Sequence, residues 1–454
     1  MNATIVGAGV AGLTLGYLLA TKGIEVQILE KEQKIGGLAR SFHYDNWSID
    51  IGPHRFHTDD IEVENFIKSI MGDDLITIPR TSKVFFCGKH FNWPLELKSI
   101  IKLPPSLLLS SFWDLMVRPK IQDDSFESYV NNKYGKTLTN SFFREYTEKF
   151  LKLNLKECHR HWAETGINRA TIDKNVRSSS ITDLLFGLLR NKKVNTKFLY
   201  PKNGTIDIYS KRLAEEICNK GGTVETGINF EKSVIKNNEV KCLIDHNGRE
   251  YEIENLFWSG ASYDLERLLG GDKVGLDFCS TLICNILVEG YPIIPAQWEY
   301  FGSREVIFSR VSTNISFNPC LAKEGYFGIC AEVVCYENDY IWKEGEKLLN
   351  TIIQNLINTN IVRNFNSVMD VHFEKIRNTY PIYRLDYVQK LEKYESKIAQ
   401  FKNVLAFGRS GAFWYNNMDH SIRASIDLAN LIDPGNHNHN IAGLPVKGIF
   451  RGDF

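Results

Sequence analysis

The sequence predicts an α/β fold, and three observations carry that prediction. Ala3-Thr4-Ile5-Val6 reads as a buried strand that runs into the turn Gly7-Ala8-Gly9-Val10-Ala11-Gly12 and then an apolar helix. Glu25-Val26-Gln27-Ile28-Leu29 reads as a second strand closing on an acid, Glu30, 18 residues past Gly12. A strand entering a small-residue turn then recurs at Leu256-Phe257-Trp258-Ser259-Gly260-Ala261 and at Val404-Leu405-Ala406-Phe407-Gly408-Arg409-Ser410-Gly411.

The first two observations define a dinucleotide site of the Rossmann type. Gly7 permits the tight turn, Gly9 lets the backbone approach a pyrophosphate, and Gly12 lets the helix pack closely on the strand. Phosphates would lie on the free N–H groups of the helix N-terminus, where the dipole favours negative charge. Glu30 stands near the ~20-residue spacing of a carboxylate that binds a ribose hydroxyl. The two recurrences assign the nucleotide-binding domain to three separated segments, 1–80, 196–265 and 400–432.

Between these segments the pattern changes. Val84 to Cys87 and His90 to Trp93 predict a hairpin turning at Gly88-Lys89. From Leu97 to about Arg190 the spacing is helical, with Phe126, Val130 and Tyr134 four residues apart. Residues 96–195 are therefore expected to form a helical substrate or cap domain. Strand signals return at Phe198 to Pro201, a helix follows from Ile208 to Lys220, and Leu276 to Val334 is strand-rich. Glu346 to Asn358 is an amphipathic helix with Leu348, Leu349, Ile352, Ile353 and Leu356 along one face. Residues 81–95 and 266–399 are assigned to an antiparallel β-sheet substrate domain, and 433–454 to a surface-bound or disordered tail.

Composition narrows the partners. Lys+Arg and Asp+Glu are equal at 54 each over 454 residues, which argues against a nucleic-acid stripe or an electrostatic membrane anchor. No run reaches the ~18 apolar residues that span a bilayer. The most apolar stretch, Leu103 to Val117, contains Pro104, Pro105 and Asp114 and is expected to be a helix buried in the protein. Met1 leads directly into the first strand, so a cytoplasmic protein is expected. The nine cysteines form no C-x-x-C pair, and the pairs His159/His161 and His437/His439 have no thiol or carboxylate cluster beside them, so no metal is expected.

Gly36-Gly37-Leu38-Ala39-Arg40-Ser41 follows shortly after Glu30. It resembles the second glycine pair of the flavoprotein superfamily of amine oxidases, protoporphyrinogen oxidase and UDP-galactopyranose mutase. In that superfamily the pair lets the backbone pass the cofactor and the arginine helps hold it, so the implied cofactor is FAD. Gly52-Pro53-His54-Arg55-Phe56-His57-Thr58 is similar to the G-P-H-x-F-H-T segment of UDP-galactopyranose mutase. Further likenesses follow in order: Phe91-Asn92-Trp93-Pro94-Leu95, Phe142 with Tyr146-Thr147-Glu148-Lys149, Tyr200-Pro201-Lys202-Asn203-Gly204, and Trp258-Ser259-Gly260. Arg304-Glu305-Val306 with Phe308-Ser309-Arg310 resembles that family's R-E-V-x-x-T-R, and Tyr380-Pro381-Ile382 its Y-P-I/V. Gly408-Arg409 through Tyr415 and Met418 resembles its closing G-R-x-x-x-Y-x-Y-x-x-M. The resemblance covers roughly Thr4 to Leu431.

The resemblance implies a flavin-dependent mutase that interconverts pyranose and furanose forms of a nucleotide-activated sugar for cell-surface polysaccharide synthesis. In that family reduced FAD acts as a nucleophile through N5 at the anomeric carbon and expels the diphosphate. By the same resemblance, Arg310, Tyr380 and Tyr415 hold the departing diphosphate, with Arg169 as the second arginine. His54 lies near the flavin, and Phe142 and Tyr146 form the slot that stacks the nucleobase. Asn92, Tyr300, Glu332 and Asn417 are further substrate-side candidates. Gly7, Gly9, Gly12, Glu30, Gly37, Leu38, Arg40, Gly260, Gly408, Arg409 and Met418 fall to the cofactor. On pattern alone, Phe142 and Tyr146 read as core and Arg310 as a surface charge. Leu151, Tyr300 and Asn417 stand where the family has tryptophan, asparagine and aspartate, which leaves the sugar open. The alternative is an FAD-dependent oxidoreductase of the amine-oxidase or protoporphyrinogen-oxidase type. A homo-oligomer supplied by an external reductant such as NAD(P)H is expected.

Overall fold

The computed structural model describes residues 1–93, 102–117, 123–170, 197–435, 441–444 and 449, the side chains of 115 and 166–170 excepted. At its centre lies a five-stranded parallel sheet. The strand order is Val404–Ala406, Asn255–Trp258, Asn2–Val6, Glu25–Leu29, Thr223–Glu225. Buried on both faces, its middle strands are near-continuous apolar runs, as a covered parallel sheet requires. The helix Val10–Thr21 lies between this sheet and the helices Asp207–Asn219 and Met418–Leu431, so most of its residues are buried and its apolar character runs all round. In register, Val6 sits beside Leu29 and Trp258, and Trp258 beside Ala406. The three glycine-bearing turns read from sequence therefore leave the carboxyl ends of adjacent strands, where open α/β sheets bind ligands.

A seven-stranded sheet stands beside it. Its order is Val368–Pro381, Phe278–Glu289, Tyr326–Cys335, Arg310–Thr313, Trp298–Phe301, Ser82–Phe86, Lys89–Asn92. All pairs are antiparallel except Trp298–Phe301 with Ser82–Phe86, which makes the sheet mixed. Apolar side chains of one face pack beneath Leu349–Asn358, whose Ile352, Ile353 and Leu356 are buried. The hairpin turns one residue earlier than predicted. Cys87 and Gly88 both have positive φ (48° and 70°), the type I′ requirement, and Phe86 faces Lys89 across the ladder.

The described part of the helical region includes the helices Pro105–Val117, Phe126–Tyr134, Glu145–Leu151 and His161–Ala170, with a short turn Lys136–Leu138 and a π-helix Thr139–Arg144 leading into the third. Lys149 fastens it to the large sheet. Its ammonium donates to the carbonyls of Ser303 (2.9 Å), Val306 (3.0 Å) and Phe308 (2.9 Å), matching its three donors with three acceptors. Those carbonyls lie in the turn that delivers Arg310.

One expectation needs correction. Pro105–Val117 is not buried: Leu109, Phe112, Trp113, Met116 and Val117 are all exposed. Its apolar residues cover more of the helix circumference than its neighbours touch. In the tail, Ile441 packs into the core of the nucleotide-binding sheet and Ala442 N–H donates to the Lys402 carbonyl (3.3 Å). Among the described residues no helix is long and apolar enough to cross a membrane, and no cluster of His, Cys, Asp and Glu is placed to hold a metal. His437 and His439 lie outside the described residues.

Candidate active site

The first glycine turn is shaped by backbone contacts. Gly7 has φ +103°, and a Cβ there would meet Ser259 Oγ at 2.5 Å. At Gly12 a Cβ would lie 1.9 Å from the Gly7 carbonyl oxygen, so only glycine lets the helix start against the strand. Gly9 caps the helix without any side-chain bond, which leaves its first amides for a ligand. The second glycine pair crosses the first: Gly36 N–H donates to Ala8 O (2.8 Å), and a Cβ at Gly37 would come within 3.1 Å of Gly9 Cα. Gly408 is a packing glycine, its φ +72° bringing the last turn against Ala11.

Glu30 is buried, and its two oxygens accept from Ala8 N–H (2.7 Å) and Glu32 N–H (2.8 Å). Burial raises its pKa against those bonds. Each oxygen keeps a further lone pair for a ribose hydroxyl. A glycine cradle, an uncapped helix and a carboxylate at its edge fit a dinucleotide.

One cavity of about 350 Å³ joins this cradle to a cluster of arginines and tyrosines. Its walls include Gly7, Gly9, Glu30, Gly37, Leu38, Arg40, His54 and Gly260, together with Arg310, Glu332, Tyr380, Arg409, Tyr415, Asn417 and Met418. Arg310 opens its strand directly across from Glu332, and the two form a bidentate pair, Nε–Oε1 2.5 Å and Nη2–Oε2 2.7 Å. Nη2 also donates to Tyr380 Oη at 3.1 Å. Tyr380 reaches this point because its strand is bulged opposite Cys279–Thr281, with Asn378 at φ 54°. Phe150 (4.5 Å) and Tyr415 (5.7 Å, edge-on) flank its ring, and burial raises its pKa.

Arg409 has no carboxylate partner among the described residues. It donates to the carbonyls of Asn416 and Thr379, its Nε is buried without an acceptor, and its guanidinium lies over the rings of Tyr415 (4.6 Å) and Tyr380 (5.5 Å). The helix Met418–Leu431 points its N-terminus, capped by Asn417 without a side-chain bond, at the same cavity. Since Glu332 is neutralised by Arg310, the walls carry excess positive charge that suits an anionic ligand.

His54 stays neutral in this setting. Burial first, and then the charges of Arg310 and Arg55, bring its pKa down to about 3 against the opposing Ile51 carbonyl, and its Nδ1 has no partner. A folded-state value below the unfolded one (about 6.5) gives stability that is full above the unfolded value and lost as pH falls toward 3. The ligand-free His54→Gln variant is expected to show a shallower loss of urea stability between about pH 6.5 and 3. An acid limb identical to that of the parent would assign it to other groups.

Of the remaining candidates, Asn92, Phe142, Tyr146 and Tyr300 lie outside the walls of this cavity. Phe142 packs against Trp93 (5.9 Å) and Phe86 (5.4 Å), and Tyr146 lies edge-on to Tyr300 at 5.8 Å and stacks on Phe150. Asn92 is exposed on the hairpin and accepts from Lys83 (2.9 Å). Arg169 ends the helix His161–Ala170, and its side chain lies outside the described residues. Trp162, which no motif flagged, stacks on Tyr415 at 4.6 Å. Arg55, Arg377, Thr379 and Asp419 also line the cavity unannounced.

Comparison with known proteins agrees with this architecture. Residues 5–70 match the NAD(P)-binding Rossmann-like domain family. A Klebsiella pneumoniae protein described as a UDP-galactopyranose mutase is 28% identical over 161 residues, 33% of this chain and 40% of that protein. The dTDP-fucopyranose mutase of Escherichia coli is 29% identical over 161 residues, 34% of this chain and 42% of that protein. The matched stretch thus spans about two fifths of these relatives' length. A crystal structure of reduced UDP-galactopyranose mutase superposes over 100% of both chains with a TM-score of 0.81 at 19% identity. The chain therefore carries a Rossmann-like domain of the NAD(P)-binding type over residues 5–70. Its fold is that of UDP-galactopyranose mutase.

Proposed function

We propose that this chain is a flavin-dependent mutase that interconverts ring forms of a nucleotide-activated sugar for cell-surface polysaccharide synthesis. The observation that carries the reading is a single cavity lined both by the dinucleotide glycines and by Arg310, Tyr380, Arg409 and Tyr415. Bound FAD in its reduced form would supply a nucleophilic N5 toward the anomeric carbon of the substrate. The chain's own residues supply binding and charge. The uncapped amides after Gly9 receive the cofactor pyrophosphate, and Glu30 its ribose. Arg310 and the hydroxyls of Tyr380 and Tyr415 receive the leaving diphosphate, whose negative charge grows as the glycosidic bond breaks. Glu332 fixes the plane of the Arg310 guanidinium through two parallel bonds, so little reorganisation is needed during the reaction. Neutral His54 places an uncharged polar ring where a cation would add to Arg310 and Arg409.

The test is a product assay. FAD-loaded protein is reduced anaerobically with dithionite and incubated with a panel of nucleotide hexopyranoses, and the products are separated by chromatography. An isomeric product that forms only with reduced enzyme, and without net flavin oxidation, is the expected result. Bleaching of oxidised enzyme by an amine or other donor, with recolouring in air and no isomer, would replace the mutase with an oxidase.

A further inference from the structure

Arg55 lies in the segment that threads past the cavity, and its backbone setting is rigid. Phe56 N–H donates to Leu199 O (2.9 Å), and Leu199 N–H donates back to Phe56 O (3.0 Å). This two-way bridge sets the Arg55 side chain against a pair of mutually stacked aromatic rings (centroids 5.9 Å apart), its Cζ lying 5.0 Å from Phe198 and 4.8 Å from Trp298. Trp298 and Tyr300 are two residues apart on one strand and so share a face of the large sheet. Arg80, which enters the same sheet beside Trp298, places its guanidinium 5.6 Å from that ring and donates Nε–H to Ser82 Oγ (2.8 Å).

What this guanidinium lacks is a counter-charge. Arg55 Nη1 donates to the Pro53 carbonyl (3.1 Å), Nε is buried with no acceptor, and among the described residues no carboxylate lies within 4.0 Å. Asp419, an acid that also lines the cavity, is held by His420 (3.0 Å). Arg310 is already neutralised by Glu332. Burial and the neighbouring Arg310 disfavour the Arg55 charge, while Tyr300 and Asp419 favour it without forming an ion pair, so the positive potential facing the cavity is only partly compensated. A buried, unpaired cation is costly unless a ligand completes it.

We propose that Arg55, backed by the stacked rings of Phe198 and Trp298 and seconded by Arg80, is an anion-recognition subsite that takes an acidic group of the substrate. The group is a carboxylate on the sugar or a phosphate of the nucleotide, and the planar donor fork of arginine suits both. The proposal rests on the reading of the cavity as a nucleotide-sugar site, and its test separates the two.

Binding is measured by calorimetry on the FAD-loaded parent, Arg55→Gln and Arg55→Lys, with UDP, UDP-glucose, UDP-glucuronate and inorganic pyrophosphate as probes. Flavin content and far-ultraviolet circular dichroism of each variant establish that it folds. A carboxylate-directed subsite predicts that Arg55→Gln weakens UDP-glucuronate alone by about tenfold or more. A phosphate-directed subsite predicts the same loss for all four probes. In either case Arg55→Lys recovers part of the affinity, because charge is restored without the fork. Arg55-dependent binding of pyrophosphate while UDP, UDP-glucose and UDP-glucuronate all fail to bind would keep the subsite and remove the nucleotide-sugar reading. Equal affinities in parent and Arg55→Gln, or no binding of any probe, would overturn the subsite.

Discussion

Replacing Arg310 by alanine is expected to lower turnover by about 10³-fold, the scale on which one preorganised electrostatic donor acts. Arg310 is the residue in which three arguments meet. It lines the cavity, it is oriented by two bonds from Glu332, and it donates to Tyr380 Oη. The same change should lower stability by about 3–5 kcal/mol, because Glu332 would be left buried without its partner. Stability and chemistry can be separated with a second variant. Arg310→Met combined with Glu332→Gln removes both charges, so it should recover most of the denaturant midpoint while turnover stays lost. Turnover in Arg310→Ala within about tenfold of the parent would remove this guanidinium from the reaction.

The other large effect is expected at Gly12. An alanine there would place its Cβ 1.9 Å from the Gly7 carbonyl oxygen and 3.1 Å from Ser259 Oγ. The first of these contacts is with backbone, which has no rotamer to yield, so the helix must back away from the strand and open the phosphate turn. Gly12→Ala is expected to purify without flavin absorbance and to lose about 1–3 kcal/mol of stability from overpacking. Gly23→Ala is the control, since a Cβ at Gly23 meets nothing within 4 Å and its positive φ adds only backbone strain. A Gly12→Ala protein carrying stoichiometric FAD would show that the turn tolerates displacement and that the glycine reading is wrong.

The glycine cradle of the candidate site was legible in sequence because its geometry is local. Gly7, Gly9, Gly12 and Glu30 are set by one strand, one turn and one helix, and short-range spacing reports such geometry directly. The strand and turn around Gly408 were legible for the same reason. The substrate half was legible only as separate residues. Arg310 and Glu332 were each singled out, but their pairing depends on strand register, which no periodicity reveals. The packing of Phe142 was not legible, because its partners Phe86 and Trp93 come from a hairpin about fifty residues earlier. Arg55 filled the variable position of a motif, and its surroundings at Phe198 and Trp298 exist only once its loop and two distant strands have assembled. The exposed face of Pro105–Val117 was misread for a related reason: apolar composition says that a surface wants a partner and not whether the fold provides one.

The order of strands in the parallel sheet has a consequence for how the protein is made. Of the five strands Asn2–Val6 is synthesised before the others, yet one of its neighbours is Asn255–Trp258, and the sheet is completed only by Val404–Ala406. Asn255–Trp258 must therefore leave the ribosome before the second edge of Asn2–Val6 is paired, and Val404–Ala406 before the edge of Asn255–Trp258 is. Until then an apolar edge is open, a situation that favours slow folding and reliance on chaperones. A nascent chain arrested before residue 404 is expected to remain protease-sensitive throughout its first thirty residues and to retain no flavin, whereas release past the helix Met418–Leu431 should protect them together.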